Sequence, residues 1–382
     1  MSKTSTYMPT PSKKVSCSVN RIYFYLTVGC NLACRHCWLA PGFDADGTNY
    51  PSLPVELFEA AIREAKPLGL SSVKLTGGEP LLHPQILQLL EIVRREGLRL
   101  TIETNGVLCT EAMAREIAKS PDRFVSVSID GADAATHEWV RGVSGCFAQA
   151  KKAVINLATA GTPPQVIMTI MRCNADQVDA VVRMAAELGA SSVKFNIVQP
   201  TARGERLHEK DEALSIAELI QLGRHVEMDL AQTTKLQLFF DYPLAFHPLS
   251  RMASGDGYDS CGILGILGVI PTGNYALCGI GEHIPELVFG QVGKDHLEAV
   301  WMENQVLQEL REGMPERLGG VCRCCLMRHH CLGSCIAQNY YQAGSLWAPF
   351  WFCQQAEEAG LFPASRLGRV MTEENDQLVS VK

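Results

Sequence analysis

Three cysteines early in the chain carry the first chemistry. The segment YFYLTVGCNLACRHCW sets Cys30, Cys34 and Cys37 in the spacing C-x3-C-x2-C, directly after an aromatic and β-branched run. Thiolates three and four residues apart on one loop can converge on a single cluster face, and thiolates are the usual protein ligands of iron–sulfur clusters. Three near ligands in place of four leave one iron without a protein partner. An open coordination position is what a catalytic metal site needs. A zinc knuckle is the competing reading, yet zinc sites usually draw on paired C-x2-C or Cys/His sets.

A second set of cysteines lies near the other end. Cys261 is followed after eleven residues by Gly273, and four residues further by Cys278. The stretch VCRCCLMRHHCLGSC then gives Cys322-x2-Cys325-x5-Cys331-x3-Cys335, and Cys353 follows after a gap of seventeen. Fifteen cysteines without a visible export signal read as metal ligands or redox groups rather than staples. A pair of zinc-ribbon sites is the plainer alternative. Cys17, Cys109, Cys146, Cys173 and Cys324 fall outside both patterns, and most read as small buried hydrophobes.

Short polar strings recur between the two sets, the first three at the ends of predicted strands and the last eleven residues beyond Asp130. LTGGEP brings Gly77, Gly78, Glu79 and Pro80; ETNG brings Asn105; SIDG brings Ser128 and Asp130; and HEWVRG brings Arg141. Glycines allow close backbone approach, and an arginine fork meets a carboxylate bidentately. Blander roles exist for each: a solvated carboxylate at Glu79, an Asn-Gly turn at Asn105, and turn or surface pairs at Ser128, Asp130 and Arg141.

In this order the strings resemble the radical S-adenosylmethionine (SAM) superfamily, with His36 at its aromatic-type position and Trp38 just after. The resemblance implies a catalytic [4Fe–4S] cluster on Cys30, Cys34 and Cys37. Its unique iron would chelate the methionine amino and carboxylate groups of SAM. Reduction would then cleave SAM to methionine and a 5′-deoxyadenosyl radical. Glu79 would accept from the SAM ammonium, Ser128 and Asp130 would meet the ribose hydroxyls, and Arg141 would pair with the SAM carboxylate. Gly77, Gly78 and Asn105 complete the implied cofactor contacts.

The later cysteines match the seven-cysteine signature of the SPASM domain, C-x(9–15)-G-x4-C, C-x2-C-x5-C-x3-C and a last C. This implies two auxiliary [4Fe–4S] clusters, three clusters in all. The distal one would use Cys322, Cys325, Cys331 and Cys353, and the proximal one Cys261, Cys278 and Cys335. Some relatives have a further cysteine shortly before the first of these. Here RMASGDGYDS has none, so the proximal cluster has an open iron, a water, or a ligand such as His247 or Cys17. Cys173 is positioned to donate a hydrogen atom to a substrate radical, as in radical epimerases.

The elements that must hold these residues follow from periodicity. Predicted strands are Ile22–Val28, Ser72–Thr76, Arg99–Glu103, Phe124–Ile129, Val166–Met171 and Val193–Val198. Amphipathic stretches such as Val55–Ala65, Glu111–Lys119, Phe147–Thr159 and Ala175–Leu188 lie between them. Repeated strand–helix alternation predicts an α/β fold with a parallel sheet, curled by right-handed crossovers into a full or partial barrel. An open doubly wound sheet is the alternative, and the resemblance selects a partial (β/α)6 barrel. A long helix is expected over Asp211 to Gln232. Beyond it the Gly- and Cys-rich region looks too poor in apolar periodicity to hold itself without staples. The expected division is a flexible lead-in over 1–20, the barrel over 21–232, a SPASM domain over 233–365, and a mobile tail over 366–382.

Composition narrows the function. The chain has 382 residues, 47% hydrophobic and 20% charged, which is a globular balance. No apolar run reaches the length that spans a bilayer, so a cytoplasmic protein without a membrane role is expected. The net charge of −7 lacks the basic footprint of general nucleic-acid binding. The resemblance implies hydrogen abstraction from a peptide or protein substrate during ribosomal peptide maturation, by crosslinking, epimerisation or a related change. A flavodoxin or ferredoxin would be the reductant. Leader recognition would need another protein or another surface. Gly279, where sulfatase-maturing relatives place Asp, speaks against that branch. Cofactor or tetrapyrrole tailoring is the second enzymatic reading, and an iron–sulfur electron carrier the non-enzymatic one.

Overall fold

The computed structural model describes residues 18–46, 49–250 and 262–368. Its scaffold is one ten-stranded sheet, assembled from alternating residues that send apolar side chains to one face only. The strands are β1 (Arg21–Tyr25), β4 (Ser72–Thr76), β5 (Arg99–Thr104), β6 (Arg123–Ser128), β7 (Gln165–Ile170), β8 (Ser192–Ile197), β9 (Gln237–Phe240), β10 (Ile266–Val269), β11 (Asn274–Ala276) and β12 (Val288–Gln291). Two short pieces, β2 (Gly29–Cys30) and β3 (Gly42–Phe43), pair beside it.

The sheet order is β12-β11-β10-β1-β4-β5-β6-β7-β8-β9. From β10 to β9 every pairing is parallel, and β11 and β12 are antiparallel. No pairing joins β9 back to β12 among the described residues, so the barrel is partial. Strands on both sides of residue 232 belong to this one sheet.

The convex face is dry. Ile22, Phe24, Val73, Leu75, Leu100, Ile102, Val125, Val127, Val166, Met168, Val193 and Phe195 are buried to within 1%. They pack against α1 (Val55–Ala65), α2 (Ile86–Arg95), α3 (Glu111–Ala118), α5 (Cys146–Thr159) and α6 (Val178–Glu187), while α4 (Ala134–Arg141) buries Val140 in a separate small cluster with Met171 and Val198. The concave face carries the alternate residues, most of which are polar. Lys74 Nζ lies 2.5 Å from Glu103 Oε1 and 4.7 Å from the Tyr23 ring centre, and Lys194 Nζ lies 3.6 Å from Asp241 Oδ1.

Three expectations need correction. The long helix over Asp211 to Gln232 is broken into shorter pieces. Its regular part is Ile216–Arg224, started by a capping box in which Ser215 and Glu218 satisfy each other's backbone. A π-turn, His225–Asp229, and a 3-10 turn follow. The late Cys-rich region also does bury a core: Trp301, Leu310 and Phe352 are at most 1% exposed and continuous with the barrel core. Its apolar residues are spread over short helices, such as Leu297–Glu303, Gln305–Gly313 and Trp351–Glu358, too brief to show a long period. The expected tail begins too early, since Arg366 is buried; residues 369–382 lie outside the described residues.

Candidate functional site

Cys30 closes β2, and Cys34 and Cys37 follow on the loop to β3 at one end of the parallel sheet. Cys30 and Cys34 are buried and Cys37 half-buried, all three packed in one cluster with Leu32 and Cys146. The loop is pinned by backbone. Ala33 N donates to Arg141 O at 3.0 Å, and Arg35 N to Val140 O at 2.9 Å. Arg203 adds donors to Cys34 O (3.2 Å) and Pro41 O (2.6 Å).

Gly77 and Gly78 press on the strand that leads into this loop. A Cβ at Gly78 would fall 1.8 Å from Gly29 O, and one at Gly77 2.8 Å from Leu26 N. Their bareness thus serves a contact of backbone on backbone. Glu79 is 1% exposed. Its Oε1 accepts from Thr104 Oγ1 (2.6 Å) and Leu81 N (3.0 Å), and its Oε2 from Asn105 N (2.9 Å). Burial pushes its carboxyl up, against the pull of these donors. Asn105 is buried in turn, its Nδ2 bonded to Asn31 Oδ1 at 2.7 Å and 3.8 Å from Cys30 Sγ.

Asp130 is the charge centre of this end. It is fully buried, accepting from Thr169 N at 2.8 Å through Oδ1. Its Oδ2 meets His36 Nε2 at 3.0 Å and Arg141 Nε at 2.7 Å. The Arg141 contact is one of charge, since the Nε–H is not aimed along it. Burial would raise the Asp130 carboxyl, but Arg141 and His36 outweigh it and hold the group well below the usual range. Arg141 Nη1 also lies 3.5 Å from Cys34 Sγ. Ser128 ends β6 half-buried, its hydroxyl without a partner among the described residues. The sequence singles out Asp130 and Arg141 without showing that they meet. His36 at the position before Cys37 was the signal for the third member.

The later thiols gather separately. Cys322, Cys325, Cys331 and Cys353 line one enclosed apolar pocket with Phe350 and Phe362. Burial pushes all four thiols up, Cys322 to about 12. Cys278 and Cys335 form a second group, where burial and then Cys335 push Cys278 up to about 12. Cys261, their expected companion, lies outside the described residues, as does Cys17. His247 is not free to join them: Nδ1 is 2.6 Å from Glu227 Oε1 and Nε2 3.1 Å from Tyr242 O. Among the described residues no three His, Cys, Asp or Glu side chains close on a single metal ion. Nor is any helix there long and apolar enough to cross a membrane.

The radical SAM superfamily model matches residues 24–185, the stretch that builds the thiol loop, Glu79, Asp130 and Arg141. These residues form a radical SAM domain. Relatives extend beyond that stretch. An AdoMet-dependent heme synthase of Methanosarcina barkeri is 29% identical over 85% of this chain and 93% of its own. The mycofactocin maturase MftC of Mycobacterium tuberculosis is 27% identical over 86% and 81%. Streptococcus suis SuiB, solved with its precursor peptide SuiA, shares the fold with a TM-score of 0.71 at 18% identity, covering 88% of this chain and 76% of SuiB.

A radical SAM domain implies a [4Fe–4S] cluster and SAM, and the donor set here suits both. The three thiols share one packed pocket, with N–H groups of Asn105 and Arg141 directed at two sulfurs. Such donors favour the anionic, cluster-bound state of a thiolate. Of the leftover cysteines, Cys109 and Cys146 are buried, Cys324 is intermediate and Cys173 is exposed. Cys146 packs against Cys30 and Cys34 within this radical SAM pocket, which no spacing rule would reveal.

Proposed function

We propose that this radical SAM enzyme abstracts a hydrogen atom from a peptide substrate and so matures a ribosomally made peptide by crosslinking, epimerisation or a related change. The observation that carries the reading is a recess of about 260 Å³ walled by both ends of the chain. Tyr25, Thr27, Gly77 and Gly78 of the barrel face Glu282 and His283 of the later region across it. Its lining includes Val28, just before Cys30 in the chain, and Glu282, just after Cys278. SuiB with its precursor peptide supports a peptide occupant by analogy of fold.

When bound, the catalytic cluster and SAM supply a 5′-deoxyadenosyl radical. Arg141 is the carboxylate partner and Ser128 the free hydroxyl for the nucleoside. Asp130, Glu79 and Asn105 hold the surrounding loops. In this reading residues 21–232 form the barrel and 233–365 the SPASM domain, with two auxiliary [4Fe–4S] clusters. The distal one sits on Cys322, Cys325, Cys331 and Cys353, and the proximal one on Cys261, Cys278 and Cys335. The enzyme is cytoplasmic and takes electrons from a flavodoxin or ferredoxin.

Tetrapyrrole tailoring is the second reading, favoured by the 29% identity to a heme synthase. The concave face speaks for the peptide. Tetrapyrroles carry several carboxylates, whereas Lys74 and Lys194 are each already matched to a carboxylate. Anaerobic, reduced protein is expected to release 5′-deoxyadenosine. A short peptide encoded beside the gene, co-expressed, is expected to change in mass or to take up deuterium from solvent. No 5′-deoxyadenosine from cluster-loaded protein would sink the reading. An unchanged, undeuterated peptide together with turnover of a tetrapyrrole precursor would transfer it to the second.

A further inference from the structure

Arg366 is a buried cation with no anion. It is 8% exposed, and its guanidinium donates only to two carbonyls, Ala245 O at 3.3 Å and His247 O at 3.1 Å. Among the described residues no carboxylate pairs with it. A charge taken out of water without an opposite partner is costly, several kcal/mol after relaxation. Some negative group is expected nearby to offset that cost.

The thiol pocket adjoins Arg366. Residues 364–368 form a strap across the loop that carries Cys324 and Cys325. Leu326 N donates to Arg366 O at 2.9 Å, Gly368 N to Cys324 O at 2.7 Å, and Cys325 bridges to Leu367. Ala245, whose carbonyl Arg366 holds, lines the same pocket as Cys322, Cys325, Cys331 and Cys353. Arg328 also lines this pocket but is paired with Glu316 at 3.1 Å, so Arg366 is the unmatched cation beside it. Neutral thiols would leave Arg366 unbalanced. Four thiolates around an iron–sulfur cube carry net negative charge in both redox states.

We propose that Arg366 is the counter-cation of the distal auxiliary cluster, balancing the charge of the thiolate-bound group and raising its reduction potential. The inference rests on the reading that these four thiols hold a cluster. Reduction adds a negative charge, which a neighbouring cation stabilises, so net charge and sulfur environment set the potential. Arg366 touches neither substrate nor reacting atoms; it is a positioning and tuning residue.

The test uses full-length protein in which Cys30, Cys34 and Cys37 are alanine, reconstituted anaerobically, so that only auxiliary clusters remain. Iron and sulfide content shows first whether the later thiols hold clusters at all; wild-type Arg366 protein without such iron would remove the reading and the inference together. Potentiometry followed by electron paramagnetic resonance then compares Arg366 with R366M and R366K. R366M is expected to lower the reduced-to-oxidised ratio of one auxiliary signal at least tenfold at fixed potential, about 59 mV for a one-electron couple. R366K, which keeps the charge, should stay closer to wild type. If R366M fails to take up iron, R366K with wild-type iron and potential still supports the charge role. Equal potentials in all three proteins would overturn it, as would R366K behaving like R366M.

Discussion

Each thiol region has a buried arginine beside it, and the two arginines are balanced differently. Arg141 near Cys34 faces Asp130, which is fully buried and spends its own charge on Arg141 and His36. Arg366 near Cys325 faces only carbonyls. The first region is close to neutral before any cofactor arrives, which suits a site that must also accept a zwitterion such as SAM. The second lacks its anion until a thiolate-bound group supplies one. Preset balance marks the site that exchanges its ligand, and imbalance the site that keeps it.

The comparison breaks most clearly at Asp130. D130N leaves Arg141 buried and unmatched, a change on the order of 3–5 kcal/mol for a broken buried pair. Urea unfolding of the metal-free protein should show that loss, whereas R366M should destabilise the metal-free protein little or even help. The pH dependence has a fixed sign. Asp130 is held below its ordinary value by Arg141 and His36 against burial, so its contribution is complete above the unfolded carboxyl pKa, about 3.9, and fades as pH falls through the folded value. The gap between wild type and D130N should therefore be flat from neutrality to about pH 4 and shrink below. A gap that grows on acidification would contradict the charge assignment.

How far the sequence carried these assignments depends on how local each one is. Cys30, Cys34 and Cys37 could be read directly because eight consecutive residues decide their convergence. The four thiols from Cys322 to Cys353 needed the spacing of a whole region, and the structure brings them to one pocket. Arg366 was assigned to a tail because its neighbours are polar; its burial comes from a carbonyl at Ala245, more than a hundred residues away. Glu79 was legible as important from its motif, but the three protein donors that hold its carboxylate come from residues 81, 104 and 105 and only the fold shows them. The long helix failed for a local reason, since Ser215 is a strong start signal lying inside the periodic stretch.

Glycine substitutions sharpen the contrast in how the two loops are held. In the first region G78A drives a Cβ onto a backbone oxygen 1.8 Å away, at the root of the thiol loop. Overpacking of this kind costs about 1–3 kcal/mol or more, and here the displaced atom belongs to Gly29, next to Cys30. Iron uptake at Cys30, Cys34 and Cys37 should fall sharply. In the second region Gly333 has φ +75° and a Cβ there would meet only side chains, Leu318 first at 3.0 Å. G333A should cost about 1–2 kcal/mol for the left-handed backbone and leave auxiliary iron in place. Equal iron loss in both variants would mean that the loops are not held differently.

The smallest expected difference separates two histidines that each face a buried carboxylate. His36 meets Asp130 with one nitrogen, and Asp130 keeps Arg141 and Thr169 N when the ring is removed. His247 has both nitrogens engaged, by Glu227 and by Tyr242 O, and is 4% exposed. H36A should therefore cost about 0.5–1.5 kcal/mol, a single net hydrogen bond, and H247A about 1–3 kcal/mol, because it strands buried acceptors. Thermal unfolding of metal-free protein ranks the two. A double-mutant cycle then tests the wiring: the H36A effect should vanish in a D130N background, since its partner charge is gone, while the H247A effect should add in full. Additivity of H36A with D130N would show that His36 acts through something other than Asp130, and the balance drawn for the first region would need another anion.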